Sequence, residues 1–186
     1  MSPISRRKLF TRWLERPARS EKRLTPAIRR MLPDFLRPPA AAPEARFLEL
    51  CERCPDCREA CPYDAILPLG PAYGDAEGTP AILPRGRPCH LCEDIPCARV
   101  CPTGALKPLP VSEVRMGTAR LEPSRCLSVK GHSCDDCLKE CPLGERALRW
   151  DSDRPEIVEE TCTGCGMCVH ICAADPGALT VTPFVG

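Results

Sequence analysis

Sixteen cysteines stand in four groups of four along 186 residues, and three of the groups end in Cys-Pro. The first group is Cys51, Cys54, Cys57 and Cys61, with gaps of two, two and three residues. The second, Cys89, Cys92, Cys97 and Cys101, widens the middle gap to four. The third, Cys126, Cys134, Cys137 and Cys141, widens the first gap to seven. The fourth, Cys162, Cys165, Cys168 and Cys172, repeats the first spacing without the proline. Thiolates are soft ligands suited to iron–sulfur chemistry, and a C-x2-C-x2-C-x3-C-P run is a spacing that holds a [4Fe–4S] cube. All sixteen cysteines are therefore expected to be ligands of four [4Fe–4S] clusters. Such a set predicts a protein that moves electrons.

The spacing has a physical reason. Two residues between cysteines give a loop short enough to wrap three corners of one cube, with backbone N–H groups free to point at sulfur. The fourth cysteine lies four residues on, so one helical turn displaces it from the loop. In paired motifs that last cysteine ligates the neighbouring cube. Structural zinc asks for two C-x2-C knuckles ~15–20 residues apart, and these groups carry too many cysteines too close together. Disulfides need an oxidising compartment, and no secretory signal is evident.

Other reactive side chains have plainer uses. His90, His132 and His170 sit near cysteines, but the cysteines already fill four cubes, so hydrogen bonding or solvent exposure is expected of the histidines. Tyr63 and Trp150 are expected to shield clusters from water, which tunes potential through the local dielectric. Asp135-Asp136 reads as a solvated pair, and Gly164 and Gly166 as freedom for tight turns. No Ser-His-Asp set, phosphate loop or paired acid/base carboxylates is present, so no catalytic residue is assigned. A carrier or accessory subunit is expected rather than an enzyme.

The elements that must position these thiols are short. Aromatics make up 4% of the chain and proline 23 of its residues, against a usual ~5% for proline. Such a chain is expected to be loop-rich, with clusters acting as its core and folding coupled to metal binding. The groups begin every 36–38 residues. Each ends in a related phrase: Cys61-Pro-Tyr-Asp-Ala-Ile66, Cys101-Pro-Thr-Gly-Ala-Leu106, Cys141 through Ala147-Leu148, and Cys172 through Ala178-Leu179. Apolar stretches at Pro80–Leu83, Thr118–Leu121 and Glu156–Val158 precede the later groups. The pattern predicts an internal repeat of strand, cysteine loop, helical turn and strand.

Residues 1–38 hold eleven basic and three acidic residues, a net +8, and the rest of the chain nets −7. Leu9, Phe10, Trp13 and Leu14 share one helical face, as do Leu24, Ile28, Met31, Leu32 and Phe35. Pro38-Pro39-Ala-Ala-Ala-Pro43 reads as a stiff linker. The expected organisation is a basic arm and linker over 1–43 and a four-cluster body over 44–186. The arm is expected to dock on an acidic partner or an anionic membrane surface. No run approaches the ~20 apolar residues of a membrane span, and no nucleic-acid partner is expected.

Over roughly residues 47–183 the chain resembles the NapF/NapG/MauM ferredoxin-type proteins. The resemblance is carried by Cys92-Glu-Asp-Ile-Pro-Cys97-Ala-Arg-Val-Cys101-Pro, Arg115-Met-Gly-Thr-Ala119, the Cys126-x7-Cys134 gap, Cys162-Thr-Gly-Cys-Gly-Met-Cys168 and the missing proline after Cys172. The second group also looks like the electron-transfer subunits of the dimethyl sulfoxide reductase class. The resemblance implies a protein with four [4Fe–4S] clusters, while the repeat predicts an α+β fold of two ferredoxin-like dicluster units, loop-rich, and the apolar faces predict a partly helical basic N-terminal arm. Its implied partner is a molybdoenzyme catalytic subunit or a quinol-oxidising membrane protein. An alternative is a cytoplasmic assembly factor for an iron–sulfur molybdoenzyme. A cluster-based redox sensor is less well supported, because no DNA-binding or catalytic domain is attached.

Two pairings satisfy the cross-ligation rule. The tandem one joins groups one with two and three with four. The nested one, implied by the dimethyl sulfoxide reductase likeness, joins one with four and two with three. Nesting places Cys172 with Cys51, Cys54 and Cys57, and Cys61 with Cys162, Cys165 and Cys168. It places Cys141 with Cys89, Cys92 and Cys97, and Cys101 with Cys126, Cys134 and Cys137. Ser5-Arg6-Arg7-Lys8-Leu9-Phe10 resembles a twin-arginine export signal, but charges from Arg12 to Arg29 interrupt the apolar run that export requires. A cytoplasmic location is expected, with periplasmic export as the alternative.

Overall fold

A computed structural model describes residues 34–184. Its frame is three small antiparallel sheets of two strands each. Strand β1 (Ile66–Pro68) pairs with β2 (Pro80–Ile82), Ile66 opposite Ile82. Strand β3 (Gly117–Leu121) pairs with β6 (Leu179–Pro183) through five residue pairs, from Gly117↔Pro183 to Leu121↔Leu179. Strands β4 (Leu148–Asp151) and β5 (Arg154–Ile157) form a hairpin. Its two-residue turn has Ser152 at φ 58, the left-handed backbone that tight hairpins require. The expected apolar stretches all become strands: β2, β3 and β5. In β6, buried Leu179 and Val181 alternate with exposed Thr180 and Thr182, the two-residue period of a half-buried strand.

Helix is sparse. The longest among the described residues, α1 (Glu44–Leu50), starts after Pro43, whose carbonyl accepts from the Phe47 amide at 2.8 Å. Glu44 in the first turn complements the helix dipole, and the last turn delivers Cys51. Four single turns follow: α2 (Asp56–Glu59), α3 (Pro96–Arg99), α4 (Asp136–Lys139) and α5 (Met167–Ile171). Each lies inside a cysteine group, between or across its third and fourth cysteines. The helical turn expected between the third and fourth cysteines is thus present in all four groups.

The two halves share a plan. Strands β3 and β6 embrace the third and fourth groups, and the β4–β5 hairpin lies between those groups. In the first half the corresponding outer contact is one bridge, Ala41↔Leu106, with the β1–β2 pair between groups one and two.

The expected linker belongs to the body. Leu36 is 1% exposed and bridges Ile82, and Pro38 is fully buried. The Ala42 amide donates to the Ala105 carbonyl at 2.9 Å, and the Lys107 amide to that of Ala40 at 2.9 Å. Phe35 lies in extended chain, edge-on to Tyr73 with ring centroids 5.3 Å apart, and not on a helical face. Burial of Leu36 and backbone pairing at Ala40–Ala42 outweigh the stiffness of the proline-rich run. The helical faces expected at Leu9–Leu14 and Leu24–Leu32 lie outside the described residues.

The hydrocarbon core is thin but continuous. Leu36, Phe47, Ile82, Leu106, Val114 and Leu179 join one buried set with Cys57, Cys89, Cys97, Cys137 and Cys168. Side chains thus carry more of the core than the composition predicted. Among the described residues no helix is long and apolar enough to cross a membrane.

Candidate iron–sulfur sites

The four helical turns carry the third cysteine of each group, Cys57, Cys97, Cys137 and Cys168, and all four are buried. One turn later the fourth cysteine stands half-buried at the far side of the turn. The chain then bends back. The Ala65 amide donates to Cys61 Sγ at 3.4 Å, the Leu106 amide to Cys101 Sγ at 3.4 Å and the Ala178 amide to Cys172 Sγ at 3.4 Å. The recurrent Ala-Ile/Leu pairs, Ala65-Ile66, Ala105-Leu106, Ala147-Leu148 and Ala178-Leu179, are buried in every case. These pairs anchor each return, and in three of the four the return aims an N–H group at sulfur.

The fourth cysteine crosses to the neighbouring group. Cys61 lines one cavity with Cys89, Cys92 and Cys97. Cys141 shares another with Cys162, Cys165 and Cys168, and Cys172 a third with Cys126, Cys134 and Cys137. Cys57 feels the charges of Cys54, Cys51 and Cys101, which completes the set. The pairing is tandem, and the nested expectation is overturned. Cys101 stands with Cys51, Cys54 and Cys57, Cys61 with the second group, Cys141 with the fourth and Cys172 with the third. The reason is the sheet plan. The β3–β6 ladder closes groups three and four into one half, and the Ala41↔Leu106 bridge closes groups one and two into the other.

The thiols are electrostatically costly to ionise together. Burial, then the charges of Cys54, Cys51 and Cys101, push Cys57 up to about 11. Burial is also the main cause for Cys89, Cys97 and Cys137, each raised to about 12, for Cys165, raised to about 11, and for Cys168, raised further. Cys101 and Cys126 run the other way. Burial would raise both, but the Leu106 amide and Thr103 hydroxyl outweigh it at Cys101, and the Ser128 hydroxyl with nearby amides does so at Cys126. A set of clustered thiolates needs cations among them. Yet among the described residues no three His, Cys, Asp or Glu side chains converge on a point that could hold a single metal ion. Four thiols spread around a cavity, with amides aimed at sulfur, fit a polynuclear group larger than one ion.

Several residues near the thiols were not read from the sequence. Arg53, at φ 62, donates to the carbonyls of Glu77 at 2.9 Å and Asp75 at 3.1 Å, which pins the loop between Cys51 and Cys54. Thr103 lies 3.6 Å from Cys101 Sγ, and Ser128 3.1 Å from Cys126 Sγ. A hydroxyl two residues after a cysteine of one of the four groups is the signal that could have found both. Tyr63, 52% exposed, stacks on His90 with ring centroids 3.8 Å apart, and both line the Cys61 cavity. Trp150 sits on β4 at 46% exposure, opposite Pro155. His132 is exposed, and His170 Nδ1 lies 2.9 Å from the Arg85 carbonyl. Asp135 pairs with Lys139 on the surface. A cavity of about 650 Å³ near Asp34, Tyr73, Arg115 and Phe184 has no cysteine among its described lining residues.

The family described as "4Fe-4S dicluster domain" matches residues 118–173, the second half of the body. A relative from Escherichia coli (strain K12), "Ferredoxin-type protein NapG", is 40% identical over 163 residues, covering 80% of this chain and 71% of its own. The chain belongs to the NapG/MauM group of ferredoxin-type proteins. "Methylamine utilization ferredoxin-type protein MauM" from Paracoccus denitrificans is 39% identical over 160 residues, 80% of this chain and 71% of that one. A selenate reductase subunit from Mesobacillus selenatarsenatis is 30% identical over 123 residues, 60% of this chain and 39% of that one. No solved structure matches the chain. Membership brings [4Fe–4S] chemistry and iron–sulfur electron transfer as the class of function.

Proposed function

We propose that the chain carries electrons through four [4Fe–4S] cubes held by its sixteen cysteines, in two ferredoxin-like dicluster units that repeat one plan. Each cube, when bound, stores and releases one electron without bond making. The chain's residues do the rest. The tetrads holding Cys51, Cys61, Cys141 and Cys126 follow one another in that order. The helical turns bearing Cys57 and Cys97 pack together across the first step, the Cys89 amide donates to the Cys165 carbonyl at 2.9 Å across the second, and the turns bearing Cys137 and Cys168 pack together across the third. That unbroken succession is the observation that carries the reading. Amides at Ala65, Leu106 and Ala178 offset negative charge on sulfur, which favours the reduced state.

The partners are a quinol-linked donor at one end and a redox enzyme, such as a molybdoenzyme catalytic chain, at the other. The basic N-terminal segment is assigned to docking, and a cytoplasmic location is kept as part of the proposal. The assembly-factor alternative is not favoured by the relatives, which carry ferredoxin-type names. Anaerobic reconstitution tests the core of the reading. About 16 iron and 16 sulfide per chain are expected, four per cube, with reversible reduction by dithionite. A content near eight of each would overturn the four-cube count. Cell fractionation checks the location, where a shortened periplasmic form would reassign the arm to export.

A further inference from the structure

The three steps between tetrads are not built alike. Within each half, neighbouring helical turns pack together: α2 against α3, and α4 against α5. The middle step, from the Cys61 tetrad to the Cys141 tetrad, joins the halves without such a pair. Close to the thiols, residues 84–89 make the contacts across it. A tight turn, closed by Arg87 and Gly86 amides on the Leu83 carbonyl at 2.8 and 3.0 Å, projects Pro84 and Arg85 toward the fourth group. Pro84 lies so close to Gly166 that a Cβ there would stand 2.6 Å from Pro84 Cβ and 3.0 Å from its Cα. Gly166 also sits at φ 86, a backbone state that glycine adopts at no steric cost. His170 Nδ1 meets the Arg85 carbonyl at 2.9 Å. The Cys89 amide donates directly to the Cys165 carbonyl at 2.9 Å.

We propose that this seam is the electron junction between the two halves, with Gly166 and His170 as positioning residues that hold it closed. The inference rests on the four-cube reading. The last hydrogen bond joins the peptide units of two ligand-bearing residues, with no residue between them. Ordinary packing between two units would not require that ligand cysteines supply the contact. The step itself moves one electron from one occupied tetrad to the next, with no proton and no bond change. Electron transfer slows exponentially with distance, so a wedge in this seam should retard passage between halves and leave passage within each half unchanged.

The test uses the full chain, reconstituted anaerobically. The wild-type iron and sulfide content comes first; fewer than four cubes there would sink the four-cube reading itself, apart from the seam. In Gly166→Ala, the four-cube iron content should be kept. After one electron is injected by a photoreduced flavin, freeze-quench EPR should show a severalfold slower spread between halves. The magnetic interaction between the inner reduced centres should weaken. Pro84→Gly added to Gly166→Ala should restore both readouts by making room for the methyl group. Should Gly166→Ala lose iron, His170→Leu gives the decision, because it removes only the side contact to Arg85. Full iron with wild-type spread and wild-type interaction in whichever of these variants loads completely would overturn the proposal.

Discussion

The first and second halves of the body present the same thiols on the same helical turns, yet they close around them by different means. The second half is closed by backbone: five residue pairs between β3 and β6 tie the strand before the third group to the strand after the fourth. The first half has a single bridge at the corresponding place, Ala41↔Leu106. There a side chain takes over. Arg37 donates to both Glu44 carboxylate oxygens at 2.6 and 2.7 Å, to Thr79 Oγ1 at 2.8 Å and to the Pro80 carbonyl at 2.9 Å. Its guanidinium also lies 4.5 Å from the centroid of fully buried Phe47 and 4.8 Å from that of Phe35. The lesson is that the helical turn and the Ala-Ile/Leu return set the thiol geometry, while the outer frame only has to hold two such returns together.

The strongest way to break the comparison is to remove one crossing cysteine from each half. Cys101→Ser should lose the cube beside Cys51, Cys54 and Cys57 and spare the one at Cys61. Cys172→Ser should lose the cube beside Cys126, Cys134 and Cys137 and spare the one at Cys141. Each loss should lower iron by about four per chain, with the EPR signals of the other half unchanged. Loss of signals from the opposite half would restore the nested pairing and undo the two-half description.

Much of this arrangement was legible in the sequence, and the part that was not has a physical cause. Thiol spacing is a local property, so the four groups and the strands at β2, β3 and β5 could be read directly. The Ala-Ile/Leu phrases were visible as a repeat, though not their work in turning N–H groups onto sulfur. Pairing is a long-range property: Cys101 meets Cys51 because Ala41 meets Leu106, and no spacing within a group encodes that contact. Arg37 was counted with the basic arm because composition records charge and not partners. Its fork to Glu44, Thr79 and Pro80 brings the segment from Leu36 to Ala42 into the body.

Arg37→Met should separate the halves by stability. Its side chain is nearly buried, at 11% exposure, and it makes several charge-assisted hydrogen bonds, which are worth more than neutral ones. Loss of that fork should destabilise the first half by about 3 kcal/mol, using ~1.5–3 kcal/mol for a hydrogen bond to a charged group and allowing for retained packing. In guanidinium titrations followed by EPR, the first-half centres should bleach earlier than in the wild type. Equal bleaching of both halves would mean that the body unfolds as one unit.

Gly117→Val is the matching change in the second half. A Cβ at Gly117 would run into the Thr182 carbonyl and stand 2.8 Å from Val181 Cγ1, and Gly164 packs so near the same peptide that a Cβ there would clash with it too. Overpacking of this kind costs about 1–3 kcal/mol. The strain falls on the β3–β6 ladder and on the loop that carries Cys162 and Cys165. The second-half centres should therefore become the labile ones, reversing the order expected for Arg37→Met. Unchanged lability in the second half would show that its ladder tolerates a splay that the geometry does not allow for.

The smallest expected effect lies at Arg120, which contrasts with Arg37 because it pairs with Glu159 on the surface of the second half. Both side chains are about half exposed, at 53% and 52%, so water and salt screen the pair. Exposed pairs of this kind contribute about 0.2–1 kcal/mol. If the second half is closed by its backbone ladder, Arg120→Gln should shift its denaturation midpoint only slightly, and raising salt should remove even that difference. The first half should respond less to salt, since Arg37 is held away from solvent by Phe35, Phe47 and Thr79. A second half that loses its centres on Arg120→Gln would place an ion pair, and not the five-pair ladder, at its outer seam, and the contrast between the two halves would then disappear.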